Sequence, residues 1–210
     1  MHQAIDPADL GPAERHKLTI GTIVPRPIAW TTSVSPQGQV NLAPFSYFMG
    51  CHSYLPAIAV SIGSRPDGTP KDTRANITAT GEFVVNVVTE ALVERMNITA
   101  AAFPPGVSEL EVSGLTALPS THVRPPRIAE SPIHLECRVL HAIPLGESPR
   151  ESTLFVAQVV MWHIDPALLQ DGLKVDQAAI HAVARMGGPF YTRAEDPFAL
   201  TIPDWRDVQR

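Results

Sequence analysis

The sequence predicts a mainly β domain, a barrel or sandwich with a few short helices appended to it. Three observations carry this. Prolines number 21 of 210 residues, about twice the usual share, which neither a helical bundle nor a coiled coil tolerates. About six segments are rich in β-branched and aromatic residues and are bounded by turn signals. Strands do not alternate strictly with helices, and the G-x-G-x-x-G turn of a Rossmann sheet is missing.

Residues 28–34, IAWTTSV, read as the first strand. The turn cluster Ser35-Pro36-Gln37-Gly38 follows, and Gln39–Leu42 returns as the second arm of a hairpin. Residues 58–62 and 83–88 are short apolar runs, the pattern of buried strands. Residues 133–143 alternate, with Ile133, Leu135, Cys137 and Val139 on one face and His134, Glu136 and Arg138 on the other, which predicts a half-buried strand. Residues 153–164 are apolar on both faces and cross the core.

Three helices are predicted. Asp72 caps one that runs to Thr80, with Gly81 just past its end. Thr89 caps a second through Met96, with Leu92, Val93 and Met96 on one face. Asp176 caps a third through Met186, stopped by Gly187-Gly188. Residues 98–132, with Pro104-Pro105-Gly106 and Pro125-Pro126, read as a long loop crossing the surface. The whole chain, 1–210, reads as a single domain, its core over about 17–192 and a loosely attached tail over 193–210.

The net charge is −5 and no run of Lys and Arg interrupts it, so bulk nucleic-acid binding is not expected. No apolar stretch reaches the roughly 18–20 residues of a membrane span, and the N-terminal segment has no apolar signal core. Cys51 and Cys137 form no CxxC pair and no disulfide framework, which fits a reducing, cytoplasmic setting. The histidines are scattered, and no HExxH or close His/Cys/Asp cluster supports a metal site. Walker A and GxSxG motifs are missing too. For an enzyme, a bound cofactor is then the economical place for the chemistry, and no catalytic dyad is assigned.

Two segments carry more information. In 69–76, Thr-Pro-Lys-Asp-Thr-Arg-Ala-Asn, Lys71 and Thr73 stand at a helix start, where free N–H groups and the helix dipole favour an anion. One reading is a phosphate cradle; the other is a capped surface helix with a solvated Lys71, and Asp72 opposes phosphate unless it turns away. In 41–48, Asn-Leu-Ala-Pro-Phe-Ser-Tyr-Phe, small residues and hydroxyls let a flat heterocycle lie against the backbone, while core aromatics on a strand and turn are the plainer reading.

Read together, these pieces resemble the flavin reductase-like family, whose fold is the FMN-binding split barrel. The likeness rests on Arg26-Pro-Ile-Ala-Trp-Thr-Thr-Ser-Val34, Gly38-Gln-Val-Asn-Leu-Ala-Pro-Phe-Ser-Tyr-Phe48 and Lys71-Asp-Thr-Arg-Ala-Asn-Ile77. It continues through Thr80-Gly-Glu-Phe-Val-Val-Asn86, Ser131-Pro-Ile-His-Leu-Glu-Cys137 and Ala184-Arg-Met-Gly-Gly188 with Tyr191. The order and spacing match from about residue 17 to 192, and the branch resembled is that of flavoredoxin and the reductase components of two-component monooxygenases.

The resemblance implies a homodimer of six-stranded antiparallel Greek-key split barrels with short flanking helices and FMN near the dimer interface. It implies an NAD(P)H-dependent flavin reductase passing hydride to flavin N5, with FAD as an alternative substrate and a separate oxygenase as recipient of reduced flavin. A flavoredoxin-like electron carrier without NAD(P)H activity is the alternative. By position, Thr31, Thr32 and Ser33 face the ring or ribityl chain, and Asn41, Ala43, Phe45, Ser46 and Tyr47 wrap the ring edge. Lys71 and Thr73 hold the phosphate, with Arg65 joining them, and Arg185 reaches the flavin of its own or the partner subunit. Some family reductases carry a His near 152–159 that helps the nicotinamide. Here the chain reads Glu151-Ser-Thr-Leu-Phe-Val-Ala-Gln, with Ala157 where a Gly is common, a departure from that nicotinamide-side pattern.

His134 and His163, both on predicted strands, read as hydrogen-bonded structural histidines. Cys51 reads as a small buried hydrophobe and Trp30 as core. Trp162 belongs to the core or to a dimer interface.

Overall fold

A computed structural model describes residues 2–104 and 107–208. The chain opens on α1 (Pro12–Thr22), where Pro12 starts the helix and Glu14 accepts the Gly11 N–H at 2.8 Å. Strands β1 (Ala29–Val34), β2 (Val40–Phe45), β3 (Phe48–His52) and β4 (Ala57–Ile62) follow. Then come α2 (Asp72–Thr80), β5 (Glu82–Asn86), α3 (Val93–Ile98) and α4 (Glu109–Val112). Two short strands, β6 (Ala117–Leu118) and β7 (Arg127–Ile128), precede the long pair β8 (Ile133–Leu145) and β9 (Ser152–Ile164). Small hairpins β10 (Leu169–Gln170) with β11 (Lys174–Val175) and β12 (Val183–Arg185) with β13 (Tyr191–Arg193) close the domain, and α5 (Trp205–Val208) lies in the tail.

The main sheet is antiparallel, in the order β2-β1-β5-β8-β9-β4-β3. Its edge strands, β2 and β3, are neighbours in sequence. Laid flat, the six gaps between seven strands would part them by about 29 Å. Only Ser46 and Tyr47 join them, a link of about 11 Å at most. The sheet must therefore curl until its edges meet at that corner, and the Tyr47 carbonyl, accepting the Ser61 N–H at 2.9 Å, ties the corner to β4. This is a split barrel of seven strands where six were expected. The added one is β3, whose Met49, Gly50, Cys51 and His52 are exposed and lack the apolar run of a buried strand.

β1 is buried along its whole length, so its two faces feed two cores. Ala29 joins the barrel interior with Phe83, Phe155 and Ile77 of α2. Trp30 joins an outer core with Leu42, Met96, Leu110 and Ile128. Its indole N–H donates to Thr99 Oγ1 at 2.9 Å, which satisfies the polar end of a fully buried ring.

Three expectations need correction. Residues 176–186 are not a helix. Asp176 does accept the Ala179 N–H at 3.1 Å, but only a turn follows, because His181 takes φ 50° and Val183–Arg185 pair as β12. The excursion 98–132 is not a surface loop: Leu110, Leu115, Val123 and Ile128 are buried in it, although Pro105 and Gly106 of its loop signal lie outside the described residues. Lastly, the polar face of β8 is covered at His134 and Glu136, while Arg138 stays exposed. Glu136 is fully buried under that excursion and accepts N–H groups from Thr121, His122 and Val123 at 2.7, 2.6 and 3.2 Å.

The helix over 72–80 forms as expected, with Gly81 in the left-handed region at φ 70°. The expected helix from Thr89 is split into a single 3₁₀ turn, Glu90–Leu92, and α3. No helix among the described residues is long and apolar enough to cross a membrane.

Candidate functional site

A cavity of about 480 Å³ opens beside the β2–β3 corner. Its walls come from β2, the start of α2, the end of α3 with residues 99–103, and the β12–β13 hairpin. Of the expected site residues it brings together Asn41, Ala43, Phe45, Ser46, Arg65, Lys71, Thr73 and Arg185. Thr31, Thr32, Ser33 and Tyr47 are not in its lining. The first three are fully buried in β1 and bonded inside the protein: Thr31 donates to Ala29 O, Thr32 to Pro126 O, and Ser33 accepts from Asn76 Nδ2. Tyr47 sits exposed on the corner.

The loop before α2 is built to present cations. Gly68 takes φ 86°, and a Cβ there would meet Pro149 Cβ at 2.6 Å, so only glycine fits. The turn it allows lets the Arg65 guanidinium reach Pro70 O at 2.6 Å and the Asp72 carboxylate at 2.5 Å. Asp72 is thereby turned onto Arg65, which offsets the repulsion it would exert on an anion at the helix start. Lys71 takes the N-cap position in place of the expected Asp72. Its ammonium lies 5.5 Å from the centre of the Phe45 ring and has no carboxylate partner among the described residues. Desolvation of the ammonium against the cavity wall, and then the charge of Arg65, hold its pKa below the usual lysine value.

Thr73, in the first turn of α2, is buried and accepts Asn41 Nδ2 at 2.8 Å, which leaves its own hydroxyl hydrogen to donate. Glu109, from α4, closes the same wall. Its Oε2 accepts the Leu42 N–H at 3.3 Å, and burial, with Asp72 adding to it, pushes its pKa up. On the opposite side the Arg185 guanidinium stacks 4.4 Å from the centre of the Tyr191 ring and donates to Gly188 O. Arg26 fastens this side to the rest. Its buried guanidinium donates to Ile20 O, Ile23 O and Met186 O at 2.8, 2.6 and 3.0 Å, and its backbone pairs both ways with Arg185.

A cavity with a cationic end, a helix start and an apolar, small-residue flank suits a planar molecule that carries an anionic tail. Residues 20–182 match the family model described as the flavin reductase like domain. The chain belongs to the flavin reductase-like family. Nitrilotriacetate monooxygenase component B from Bacillus cereus is 34% identical, with a TM-score of 0.90 over 95% of this chain and 99% of that one. The 2-nitrobenzoate 2-nitroreductase of Pseudomonas fluorescens is 30% identical, with a TM-score of 0.87 over 97% and 98%. Flavoredoxin of Desulfovibrio vulgaris shares the fold at 23% identity, with a TM-score of 0.73 over 85% and 91%.

Within the flavin reductase-like frame, sequence reasoning missed the wall made by Met96, Thr99 and Ala100–Phe103, and it missed Glu109. The prolines near 104 and 125 hid the first. A signal for the second was present: Ser108-Glu109-Leu110-Glu111 is a helix start, and Ser108 Oγ accepts the Glu111 N–H at 3.4 Å. Cys51, expected as a small buried hydrophobe, is exposed on β3, whereas Cys137 is buried. Glu151, at the departure from the family pattern, pairs with Arg74 of α2 at 3.4 Å. Among the described residues no group of three His, Cys, Asp or Glu side chains is arranged to hold a metal ion.

Proposed function

We propose that this oxidoreductase-family chain binds FMN in the 480 Å³ cavity and acts as an NAD(P)H-dependent flavin reductase. The observation that carries the reading is the Lys71 ammonium without a carboxylate partner, beside the free hydroxyl hydrogen of Thr73 at the first turn of α2. A cation with no carboxylate paired to it and N–H donors converging beside it fit a phosphate monoester. The backbone of Asn41–Ser46 and the apolar side of Ala43 and Phe45 then flank the ring, and Arg185 on Tyr191 closes the far side. Bound FMN supplies the hydride acceptor, at N5. The chain's own part is to bind the phosphate, orient the ring and leave one face open to a nicotinamide. Thr31, Thr32, Ser33 and Tyr47 are proposed only as second contributors through backbone or a partner subunit.

A cytoplasmic homodimer is part of the same reading. Leu140, Ile143 and Leu145 on the far half of β8, Met49 on β3 and Trp162 on β9 are exposed apolar side chains in the monomer, the kind a second copy covers. A separate oxygenase receiving reduced flavin is proposed on the likeness to a monooxygenase component. The test is the visible spectrum of the purified chain after incubation with FMN and desalting, followed by NADH and NADPH turnover. Retained flavin with turnover supports the reading. Retained flavin without turnover replaces the reductase by an electron carrier, and no flavin affinity overturns both.

A further inference from the structure

We propose that a second cavity, adjoining the first, receives the adenosine of a dinucleotide whose ribose carries a free 2′-hydroxyl. This cavity is about 400 Å³ and shares Asn41, Asp72, Phe103 and Glu109 with the first. It lies at the phosphate end, since Asp72 and Asn76 of its wall flank Thr73 on α2. A group continuing beyond a phosphate on Lys71 and Thr73 enters it.

The two cavities differ in chemistry. The first holds the cations Arg65, Lys71 and Arg185. The second has no Lys, Arg or His in its lining among the described residues, and it has three carboxylates, Asp72, Glu109 and Glu111. Three of its side chains are about nine-tenths buried: Asn41 at 9%, Asn76 at 8% and Glu109 at 9% exposure. Asn41 and Asn76 commit amide N–H groups to Thr73 Oγ1 and Ser33 Oγ, so their carbonyl oxygens have no partner among the described residues. Glu109 commits one oxygen to the Leu42 N–H, and the other has no partner there either. None of these three oxygens is sealed from solvent, unlike the orphaned Nδ1 of His134.

A wall of buried acceptors calls for a ligand rich in donors. The ribose diol and the adenine amine supply them, and Phe103 and Val40 offer apolar faces to the ring. A carboxylate reads a ribose 2′-hydroxyl, whereas a 2′-phosphate needs an arginine. Here a 2′-phosphate would meet the carboxylates of Glu109 and Glu111, with Asp72 already held by Arg65 and no Lys, Arg or His in the lining to receive it, so the cavity discriminates against it. FAD and NADH both carry the adenosine that fits, and NADPH does not.

This assignment rests on the phosphate reading above, and its test keeps the two apart. The purified chain is titrated calorimetrically with FMN, FAD, NADH, 5′-AMP and adenosine 2′,5′-bisphosphate. 5′-AMP is expected to bind about tenfold or more tightly than the bisphosphate. Glu109→Gln keeps an acceptor for the Leu42 N–H but removes the charge, and it narrows that ratio about threefold. Glu111→Lys adds a cation and moves the ratio further in the same direction. If the FAD-to-FMN affinity ratio falls in these variants while NADH binding holds, the adenosine is the flavin's. If NADH binding falls and the flavin ratio holds, it is the nicotinamide dinucleotide's. Equal binding of the two adenosine phosphates, or a ratio that neither variant moves, overturns the assignment even where FMN binds well. Failure to bind FMN overturns the phosphate reading alone, because the adenosine contrast is read without flavin.

Discussion

Asn41 Nδ2 donates to Thr73 Oγ1 at 2.8 Å, a buried bond that fixes edge strand β2 to the first turn of α2. The two elements that would hold ring and phosphate are thus set against each other before any ligand arrives. Because Thr73 Oγ1 accepts this bond, its own hydrogen stays available to donate, and Thr73 lines the cavity.

Asn41→Ala is expected to cost about 1 kcal/mol of stability, the net worth of one hydrogen bond. FMN affinity is expected to fall further, about tenfold, because Thr73 loses its orientation. Urea midpoints and FMN titrations of the same variant separate the two effects.

Lys71 makes FMN binding sensitive to alkaline pH. Its pKa lies below 10.5, through desolvation first and Arg65 second, and only the ammonium attracts phosphate. The FMN dissociation constant should therefore rise as pH climbs from neutral toward 10.5. Riboflavin, which has the same ring and no phosphate, should not share that rise.

Glu136 holds the excursion over 117–128 against the sheet. Its carboxylate accepts three backbone N–H groups and His163 Nε2, the last at 2.6 Å. Glu136→Ala strands those donors and is expected to cost about 3 kcal/mol or more. A chemical denaturation curve reads it directly.

Acid should destabilise the fold in two windows. Burial pushes the His134 pKa below 6.5, and the unpartnered Nδ1 gives a second proton no acceptor. A depressed histidine is fully stabilising above 6.5 and loses that contribution as pH falls through the folded value. Burial alone would raise Glu136, but the Thr121 N–H, His163 and the His122 N–H outweigh it and hold the carboxyl below 4.5. Its contribution is present above 4.5 and is lost below it. Urea midpoints across the acid range should show both steps, and His134→Gln should remove the first.

Much of the barrel was legible because its strands are apolar on one or both faces. β1, β4, β5, β8 and β9 lie close to their expected ranges. β3 was not legible, since its exposed Met49–His52 has no alternation and pairs only on one side, with β4. The β8 face was misread because Glu136 looks solvated in sequence, and only the N–H groups of a distant loop make its burial tolerable. At the site, Lys71 and Thr73 were legible as a helix start. The part played by Arg26 was not: a guanidinium that binds a carbonyl 160 residues away leaves no local pattern.

The most direct measurement is the dissociation constant of FMN against that of riboflavin, for the natural chain and for Lys71→Ala with Thr73→Ala. The account predicts about a hundredfold loss for FMN and a change within about threefold for riboflavin. An equal loss for both ligands would contradict it and move the phosphate away from α2.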